Sequence, residues 1–201
     1  METEPRSPKG RRTRARLLEA GKKVFERDGF LQARIADISA EASVSHGSFY
    51  HYFDSKESIF REIAEEIEVR LLSMDDAGTG GSDPIERIRA ANRSYLRSYR
   101  KEAKIMRVIE EVSRYDDEVR KVRSQRDDEL ADRLEAAILR LQKEGLADER
   151  VDGRYAATAL GCMVAKFAEQ MFIAGGDFEE DLAVEQLTLL WANSLRLPMP
   201  A

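Results

Sequence analysis

The stretch VSHGSFYHYF, residues 44–53, decides how the front of this chain folds. It holds both histidines of the chain, His46 and His51, among four aromatic residues. Phe49 and Phe53 are four residues apart, so on a helix they share a face, and we predict that this face is buried. We expect the two rings to pack on the preceding helix at Ile35, Ile38 and Ala42. The outward surface then carries His46, Gly47, Ser48, Tyr50, His51 and Tyr52.

A metal site and a catalytic pocket are the two alternatives that a pair of histidines raises. Five residues on a helix of 3.6 residues per turn place the imidazoles about 140° apart rather than on one face. No further cysteine or histidine lies nearby, and neither histidine has a serine or cysteine with an acid at triad-like spacing. The chain also lacks a glycine-rich phosphate loop and an HExxH pattern. We therefore predict no metal, no cofactor and no enzymatic activity, and interpret the stretch as a contact surface.

Charge is distributed unevenly along the 201 residues. The net charge is −5, which by itself argues against a partner that carries phosphate. Residues 6–16 nevertheless hold six basic and no acidic side chains, and residues 1–60 hold 11 basic and 9 acidic ones. The front of the chain is therefore the part suited to a polyanion. A disordered, solubilising arm is the alternative interpretation of residues 6–16.

No segment predicts membrane insertion or export. No run approaches the ~18 apolar residues of a membrane span, and the N-terminus has no apolar segment after its charges. We expect a cytoplasmic protein that makes no membrane contact. The single cysteine, Cys162, lies in the apolar run ALGCMVAKFA, which predicts a small buried residue rather than a reactive thiol. One cysteine permits no disulfide within the chain.

Apolar residues recur at helical spacing through most of the chain, and no segment alternates for long enough to predict a sheet. Gly29 and Gly145 are predicted helix ends, and Ser45, Ser55 and Asp83 are predicted caps. The glycine-rich stretch DDAGTGGSDP, residues 75–84, predicts a structural boundary inside or just before it. We place helices at residues 11–27, 35–42, 46–52, 55–71, 83–99, 105–109, 117–143, 152–174 and 179–195.

Two short helices joined by the tight connection ASVS, with polar and aromatic groups outward on the second, form a helix-turn-helix. Residues 29–60, GFLQARIADISAEASVSHGSFYHYFDSKESIF, resemble the DNA-binding domain of the TetR family of transcriptional regulators. The matching positions are Gly29, Ile38, Ala42, Val44, Ser45, Gly47, Tyr50, Phe53, Lys56 and Glu57.

Three departures from the family pattern concern the helix-turn-helix itself. Ala33 and Arg34 stand where the family usually has threonine, so a capping hydroxyl ahead of the second helix is missing, at a cost of about 1 kcal/mol. Ser39 stands in place of the usual alanine, and Ser43 in place of the usual turn glycine. We expect a turn that is slightly strained or differently shaped, and we expect Arg34 to reach a phosphate.

The resemblance implies an all-α protein with two domains. Residues 1–56 would form an N-terminal three-helix DNA-binding domain, and residues 57–201 a C-terminal helical domain for ligand binding and dimerisation. The third helix would enter the major groove of double-stranded DNA, while hydroxyls, cations and helix N-termini hold phosphates. The alternative to a DNA contact is a packed core side chain for Tyr50 and a solvated cap for Lys56. The DNA-binding residues implied in this way are Arg34, Ser45, His46, Gly47, Ser48, Tyr50, His51, Tyr52 and Lys56.

The resemblance further implies a homodimeric repressor of a palindromic operator, released by a small, hydrophobic effector. The residues assigned to dimerisation and effector binding have an alternative role, which is core packing within one subunit. The competing function for the protein is a helical adaptor that binds another protein and no DNA. The implied dimer interface comprises Leu160, Met163, Phe167, Leu187, Leu190 and Trp191. The implied effector lining comprises Tyr95, Tyr99, Met106, Ile109, Phe167 and Met171.

Overall fold

The computed structural model describes residues 7–73 and 83–198, which form eight helices and no strand. The all-α prediction is confirmed. The boundary predicted inside or just before residues 75–84 falls largely on residues 74–82, outside the described part of the chain. The helices are α1 (Pro8–Gln32), α2 (Ile35–Glu41), α3 (His46–Phe49), α4 (Lys56–Ser73), α5 (Pro84–Val112), α6 (Asp117–Lys143), α7 (Gly153–Phe172) and α8 (Glu180–Leu195).

The chain divides into two compact units, and each contains two separate stretches of sequence. The first unit comprises the described residues up to 68 together with 104–122. The second comprises 69–103 and the described residues from 123 onward. The functional division into residues 1–56 and 57–201 stays a prediction.

The first helix begins three residues earlier than its predicted start at residue 11. Ser7 is its N-cap, and its hydroxyl accepts a hydrogen bond from the Gly10 amide at 3.0 Å. The basic stretch is therefore helical from Pro8 onward rather than a disordered arm, while Arg6 lies outside the described residues. Gly29 interrupts the helix as predicted, because its φ of 74° lies in the left-handed region that favours glycine, and helical backbone resumes up to Gln32.

Aromatic rings form the core of the first unit. Phe60 of α4 contacts Phe25 and Phe30 of α1, with ring centroids 4.9 and 4.8 Å away and edge-on geometry. Such arrangements are the favoured ones for aromatic pairs. At Gly21 the two helices approach so closely that an added Cβ would lie 3.1 Å from Ile63 and 3.2 Å from Ile59. The small residue thereby sets the spacing between α1 and α4.

The connection from α2 to α3 contains the strain that the sequence predicts. Ser43 has a φ of 52°, in the left-handed region where a side chain costs about 1–2 kcal/mol. The amide of Ser43 donates to Ala40 O, and the amide of Val44 donates to Ser39 O at 2.9 Å. The turn is therefore held by backbone hydrogen bonds even though serine is not the residue best suited to it.

We expect Ser43→Gly to stabilise the protein. Glycine removes the left-handed penalty, but it loses about 0.5–1 kcal/mol through the greater freedom of the unfolded chain, so the net gain should be up to about 1 kcal/mol. Urea denaturation followed by circular dichroism measures it. An equal or lower midpoint for the glycine variant would mean that the turn is not strained at this position.

Two predictions about the later part of the chain are wrong. Helices predicted at residues 83–99 and 105–109 are one helix, α5, because no glycine or proline interrupts residues 85–112 and buried residues continue at helical spacing. Cys162 is exposed rather than buried, because its apolar neighbours in sequence lie on other faces of α7.

The remaining helix ends follow the predictions closely. Asp83 caps α5, because its carboxylate accepts a hydrogen bond from the Ile85 amide at 2.9 Å. Helix α6 has the predicted limits, and Gly145, with a φ of 71°, lies just beyond its end. The starts of α7 and α8 are capped by Asp152 and Glu179, whose carboxylates accept backbone amide hydrogen bonds. Within residues 7–73 and 83–198, no helix has both the length and the apolar character needed to cross a membrane.

Candidate nucleic-acid interface

The third helix is four residues long and begins after a serine cap. Ser45 is the N-cap, and its hydroxyl accepts from the Ser48 amide at 3.1 Å. The Ser48 hydroxyl lies 2.7 Å from the same oxygen. The helix comprises His46–Phe49 and continues as turns through Tyr52, shorter than the predicted residues 46–52. The Ser45 side chain thus has a structural role in starting the helix.

The two phenylalanines of this segment point inward, as their spacing predicts. Phe49 and Phe53 are 0% and 1% exposed, and their ring centroids are 5.8 Å apart. Of the three packing partners expected on the preceding helix, Ile38 and Ala42 are buried and Ile35 is half-buried. Burying these rings fixes which side chains of α3 face outward.

The outward surface of α3 carries hydrogen-bonding groups. His46, Gly47 and His51 are exposed, and Tyr50 is 49% exposed, so it is not a packed core residue. Ser48 and Tyr52 are half-buried. The His46 ring lies edge-on to Tyr50 with centroids 5.4 Å apart. Imidazole and phenol groups can donate to or accept from base edges and phosphate oxygens.

Gly47 leaves space at the start of α3. A Cβ built on this residue would meet no heavy atom within 4 Å. The backbone therefore presents a flat, open position one residue after the helix begins. A partner can approach the main chain more closely here than at any position that carries a side chain.

Arg34 precedes α2 as its N-cap residue and makes no side-chain capping hydrogen bond. As predicted, no hydroxyl caps the N-terminus of α2. Asp37 lies in the first turn of α2, where its negative charge is favourable to the helix dipole. The exposed Arg34 guanidinium remains available at the edge of the helix-turn-helix.

Lys56 has a role that the sequence did not reveal. Its ammonium donates to the carbonyls of Phe30 at 2.8 Å and Ala33 at 3.1 Å, and it lies 4.5 Å from the centre of the Phe30 ring. These partners are 26 and 23 residues away in sequence, so no local pattern predicts the contact. Lys56 ties the end of α1 to the start of α4 and so holds the segment that leads into α2. An ammonium has three donors, and its assigned phosphate contact stays a prediction.

We expect Lys56→Met to lower the free energy of unfolding by about 1–3 kcal/mol, because the carbonyls of Phe30 and Ala33 lose a charged donor in a half-buried site. Lys56→Arg is the matched control, since it keeps a donor and should retain most of the stability. Chemical denaturation of the three proteins compares them. Equal midpoints for Lys56→Met and the unsubstituted protein would show that Lys56 does not hold the segment that leads into α2.

Arg14 is also bound within the first unit rather than presented to solvent with its basic neighbours. Its guanidinium forms a two-point hydrogen-bonded ion pair with the Glu62 carboxylate of α4 and lies over the Phe53 ring, 5.0 Å from its centre. Two-point pairs of this kind are among the stronger side-chain interactions. Arg14 therefore connects α1, α4 and the turn that follows α3.

The residues assigned to an effector site belong to different parts of the molecule. Met106 and Ile109 are fully buried in the first unit, whereas Tyr95 and Tyr99 are buried in the second, with Tyr99 stacked near Phe172. A cleft between α6 and α7 is lined by other residues, among them Leu130, Ala157 and Cys162. The effector lining, Tyr95, Tyr99, Met106, Ile109, Phe167 and Met171, stays a prediction.

The residues assigned to a dimer interface differ in how exposed their side chains are. Leu160, Leu187 and Trp191 are buried in the core of the second unit, and Met163 and Phe167 are half-buried. Leu190 is 50% exposed. Two apolar side chains at the start of α7 and α8, Tyr155 and Leu182, are more exposed still. The interface itself stays a prediction.

Two family models match this chain. The model of bacterial regulatory proteins of the tetR family matches residues 17–63, which contain the helix-turn-helix. The model of the tetracyclin repressor-like C-terminal domain matches residues 81–188, more than half of the chain. The chain belongs to the TetR family. It is thus a transcriptional regulator of the TetR type, and the resemblance seen in residues 29–60 is confirmed.

Individual relatives agree with the TetR assignment. The repressor NicS of Pseudomonas putida is 40% identical over 62 residues, 31% of this chain and 29% of NicS. The uncharacterized regulator YdgC of Bacillus subtilis is 36% identical over 69 residues, 34% of this chain and 35% of YdgC. The chain thus matches about a third of the length of these relatives. A crystal structure of a TetR-like regulator from Rhodococcus sp. RHA1 covers 96% of this chain and 99% of its own, with 26% identity and a TM-score of 0.69.

Proposed function

We propose that this protein is a dimeric repressor that binds a palindromic operator through α3 and is released by a small, hydrophobic effector. The observation that carries the proposal is the orientation of α3. Two buried phenylalanines hold the helix in place, while two imidazoles, a phenol and an open glycine position face outward. A short helix of this composition suits the major groove, where donors and acceptors distinguish the base pairs.

Two-fold symmetry follows from the small size of the contact. A helix of four residues reads only one half-site, and helix-turn-helix proteins reach useful affinity by pairing two copies on a palindrome. The exposed apolar residues of α7 and α8, Tyr155, Leu182 and Leu190, are suited to contact with a second copy. Sedimentation at several concentrations tests the dimer directly.

The effector is proposed to be hydrophobic because the aromatic residues of the second unit lie close together. Tyr95 and Tyr99 have centroids 6.0 Å apart, and Tyr99 and Phe172 have centroids 6.3 Å apart. A ligand that binds the DNA-free conformation more tightly would lower operator affinity by its differential affinity for the two conformations. Selection of duplexes from random DNA, repeated with hydrophobic compounds, tests operator and effector together.

His46→Ala and Tyr52→Ala are expected to act differently on DNA binding. His46 lies at the start of α3, so its loss should change the preferred base pair, with about 1–3 kcal/mol of discrimination lost at that position. Tyr52 lies at the end of the segment and is proposed to hold phosphate, so its loss should weaken binding to all sequences alike. Binding titrations against a panel of single-base operator variants measure both effects.

Tyr115→Ala is the control for these two variants, because Tyr115 is an exposed phenol of the same unit in the turn between α5 and α6. It should leave affinity and sequence preference unchanged. The assignment of α3 fails if His46→Ala and Tyr52→Ala bind every duplex as Tyr115→Ala does.

A further inference from the structure

One face of α5 carries buried polar groups inside the second unit. They recur at spacings of three and four residues, which on an α-helix places them within an arc of about 120°. Each of these residues is at most 7% exposed. We call this set the polar stripe of α5, and it comprises Asn92, Tyr95, Ser98, Tyr99 and Glu102.

The two ends of the polar stripe are bound within the unit. The Asn92 side chain donates to the Thr188 hydroxyl of α8 at 3.2 Å. The Glu102 carboxylate accepts a hydrogen bond from the Arg70 guanidinium at 2.7 Å. Buried polar groups generally have such partners, so these contacts account for the burial of Asn92 and Glu102. The middle of the stripe has a different environment.

A buried cation lies against the middle of the polar stripe. Arg126 of α6 is 4% exposed, and its guanidinium donates to the Tyr95 hydroxyl at 3.3 Å. It also lies 3.2 Å from the carboxylate of Asp127, whose side chain is 54% exposed, so solvent weakens that pair. Removing a guanidinium from water costs free energy. An anion that reached Arg126 would be attracted more strongly than at an exposed cation, because the surroundings screen charge less.

The Ser98 hydroxyl lies one helical turn from Tyr95 on the same face of α5. Ser98 is 5% exposed, and within residues 7–73 and 83–198 its Oγ has no hydrogen-bond partner. A buried hydroxyl in this state destabilises the fold, because it has given up its hydrogen bonds to water. A ligand that hydrogen-bonds to Ser98 would recover that loss.

Aromatic surface adjoins these polar groups. The ring centroid of Tyr99 lies 6.0 Å from that of Tyr95 and 6.3 Å from that of Phe172 in α7. Small-molecule sites typically combine mostly apolar walls with a few fixed polar groups that orient the ligand. The planar fork of N–H donors on a guanidinium matches the two oxygens of a carboxylate, and a serine hydroxyl can donate to the same group.

We propose that the effector is a hydrophobic carboxylic acid, bound as its anion. Arg126 and the Ser98 hydroxyl hold the carboxylate, and the apolar body of the acid lies against Tyr99 and Phe172. This inference rests on the proposed function, since it takes the second unit to bind the effector. The aromatic side chains pack on one another, so the acid must displace some of them. It therefore favours a conformation in which they are apart, which is the condition for changing operator affinity.

Calorimetric titration of the full-length protein with two acids and their alcohols tests the proposal. Decanoic acid is compared with decanol, and naphthaleneacetic acid with naphthaleneethanol. At least one acid should bind on the order of tenfold more tightly than its alcohol, because charge-assisted hydrogen bonds are stronger than neutral ones. Preference for decanoic acid would identify an acyl chain, and preference for naphthaleneacetic acid an aromatic body. Equal binding within both pairs, or binding of neither acid, overturns the inference.

Ser98→Ala and Arg126→Lys test the two residues that hold the carboxylate. Ser98→Ala should weaken acid binding about three- to tenfold without lowering the urea midpoint, because it removes a buried hydroxyl that has no partner. A hydroxyl needed only for the fold would lower the midpoint instead. Arg126→Lys keeps the positive charge but loses the planar fork, so acid affinity should fall on the order of tenfold while alcohol affinity is retained.

Ser194→Ala and Arg140→Lys are the matched controls, because they make the same substitutions at exposed residues of the same unit. Both should bind the acid as the unsubstituted protein does. Equal losses in the controls, or unchanged acid affinity in Ser98→Ala and Arg126→Lys, contradict the inference. A protein that binds an acid but no duplex would overturn the proposed function and leave the acid site standing. One that binds operator but neither acid would do the reverse.

Discussion

Phe49→Ala should destabilise the protein strongly and abolish operator binding at 37 °C. Phe49 is 0% exposed, its ring centroid lies 5.8 Å from that of Phe53, and α3 packs against α2. Deleting a buried phenyl ring costs about 3–5 kcal/mol, through lost burial and the cavity left behind. Single domains are typically stable by only about 5–15 kcal/mol, so a large share of the margin would disappear. Urea denaturation and operator titration on the same samples measure stability and binding.

Tyr50→Ala is the control for this prediction, because it removes a ring of similar size from the next residue. Tyr50 is 49% exposed, and replacing an exposed side chain usually changes stability by less than about 0.5 kcal/mol. The variant should therefore fold normally while weakening operator binding. The inward orientation of Phe49 is refuted if the two alanine variants lose similar stability, or if Tyr50→Ala loses more.

Gly47→Glu should leave the fold intact and reduce DNA affinity at least on the order of 100-fold. An added side chain meets no heavy atom within 4 Å, so the substitution introduces no clash within the protein. A carboxylate at this position would face phosphate and base-edge acceptors, and like-charge juxtaposition at an interface costs several kcal/mol. Each 1.4 kcal/mol corresponds to about a tenfold change in affinity. Fluorescence anisotropy with labelled operator measures the loss.

Gly47→Ala separates charge from bulk at the same position. A methyl group should cost less affinity than a carboxylate, and both variants should keep the urea midpoint of the unsubstituted protein to within about 1 kcal/mol. Retained operator affinity in Gly47→Glu would show that DNA does not approach α3 at its N-terminus. A large drop in the midpoint would show that the open space around this glycine is absent.

The elements that local chemistry specifies were predictable from the sequence. Ser45 caps α3, Gly29 interrupts α1, and Phe49 and Phe53 face inward because short-range patterns determine these features. The limits of α6 were predictable for the same reason, since a strong periodic pattern ends at a glycine. Helix α5 was divided wrongly at residues 100–104, four of which are charged, because helices readily present one charged turn to solvent.

Contacts between distant residues were not predictable from a single sequence. Lys56 was assigned to phosphate because its position matched a motif, and its hydrogen bonds to Phe30 and Ala33 depend on how α1 meets α4. Arg14 was one of six basic residues near the N-terminus, and the contacts with Glu62 and the Phe53 ring that distinguish it depend on how distant segments meet. The same limit applies to Leu187 and Trp191, which the resemblance assigned to a dimer interface and which are buried. Apolar spacing does not distinguish a subunit's own core from a surface for a second copy.

The division of the chain into units has a consequence for fragments. Helices α4, α5 and α6 each continue from one unit into the other, at residues 68–69, 103–104 and 122–123. A peptide that ends at residue 68 would lack Ile105, Met106 and Val119, which are buried in the first unit. The amino-terminal third should therefore not fold as an independent DNA-binding domain when it is excised. Transferring it to another regulator would require residues 104–122 as well.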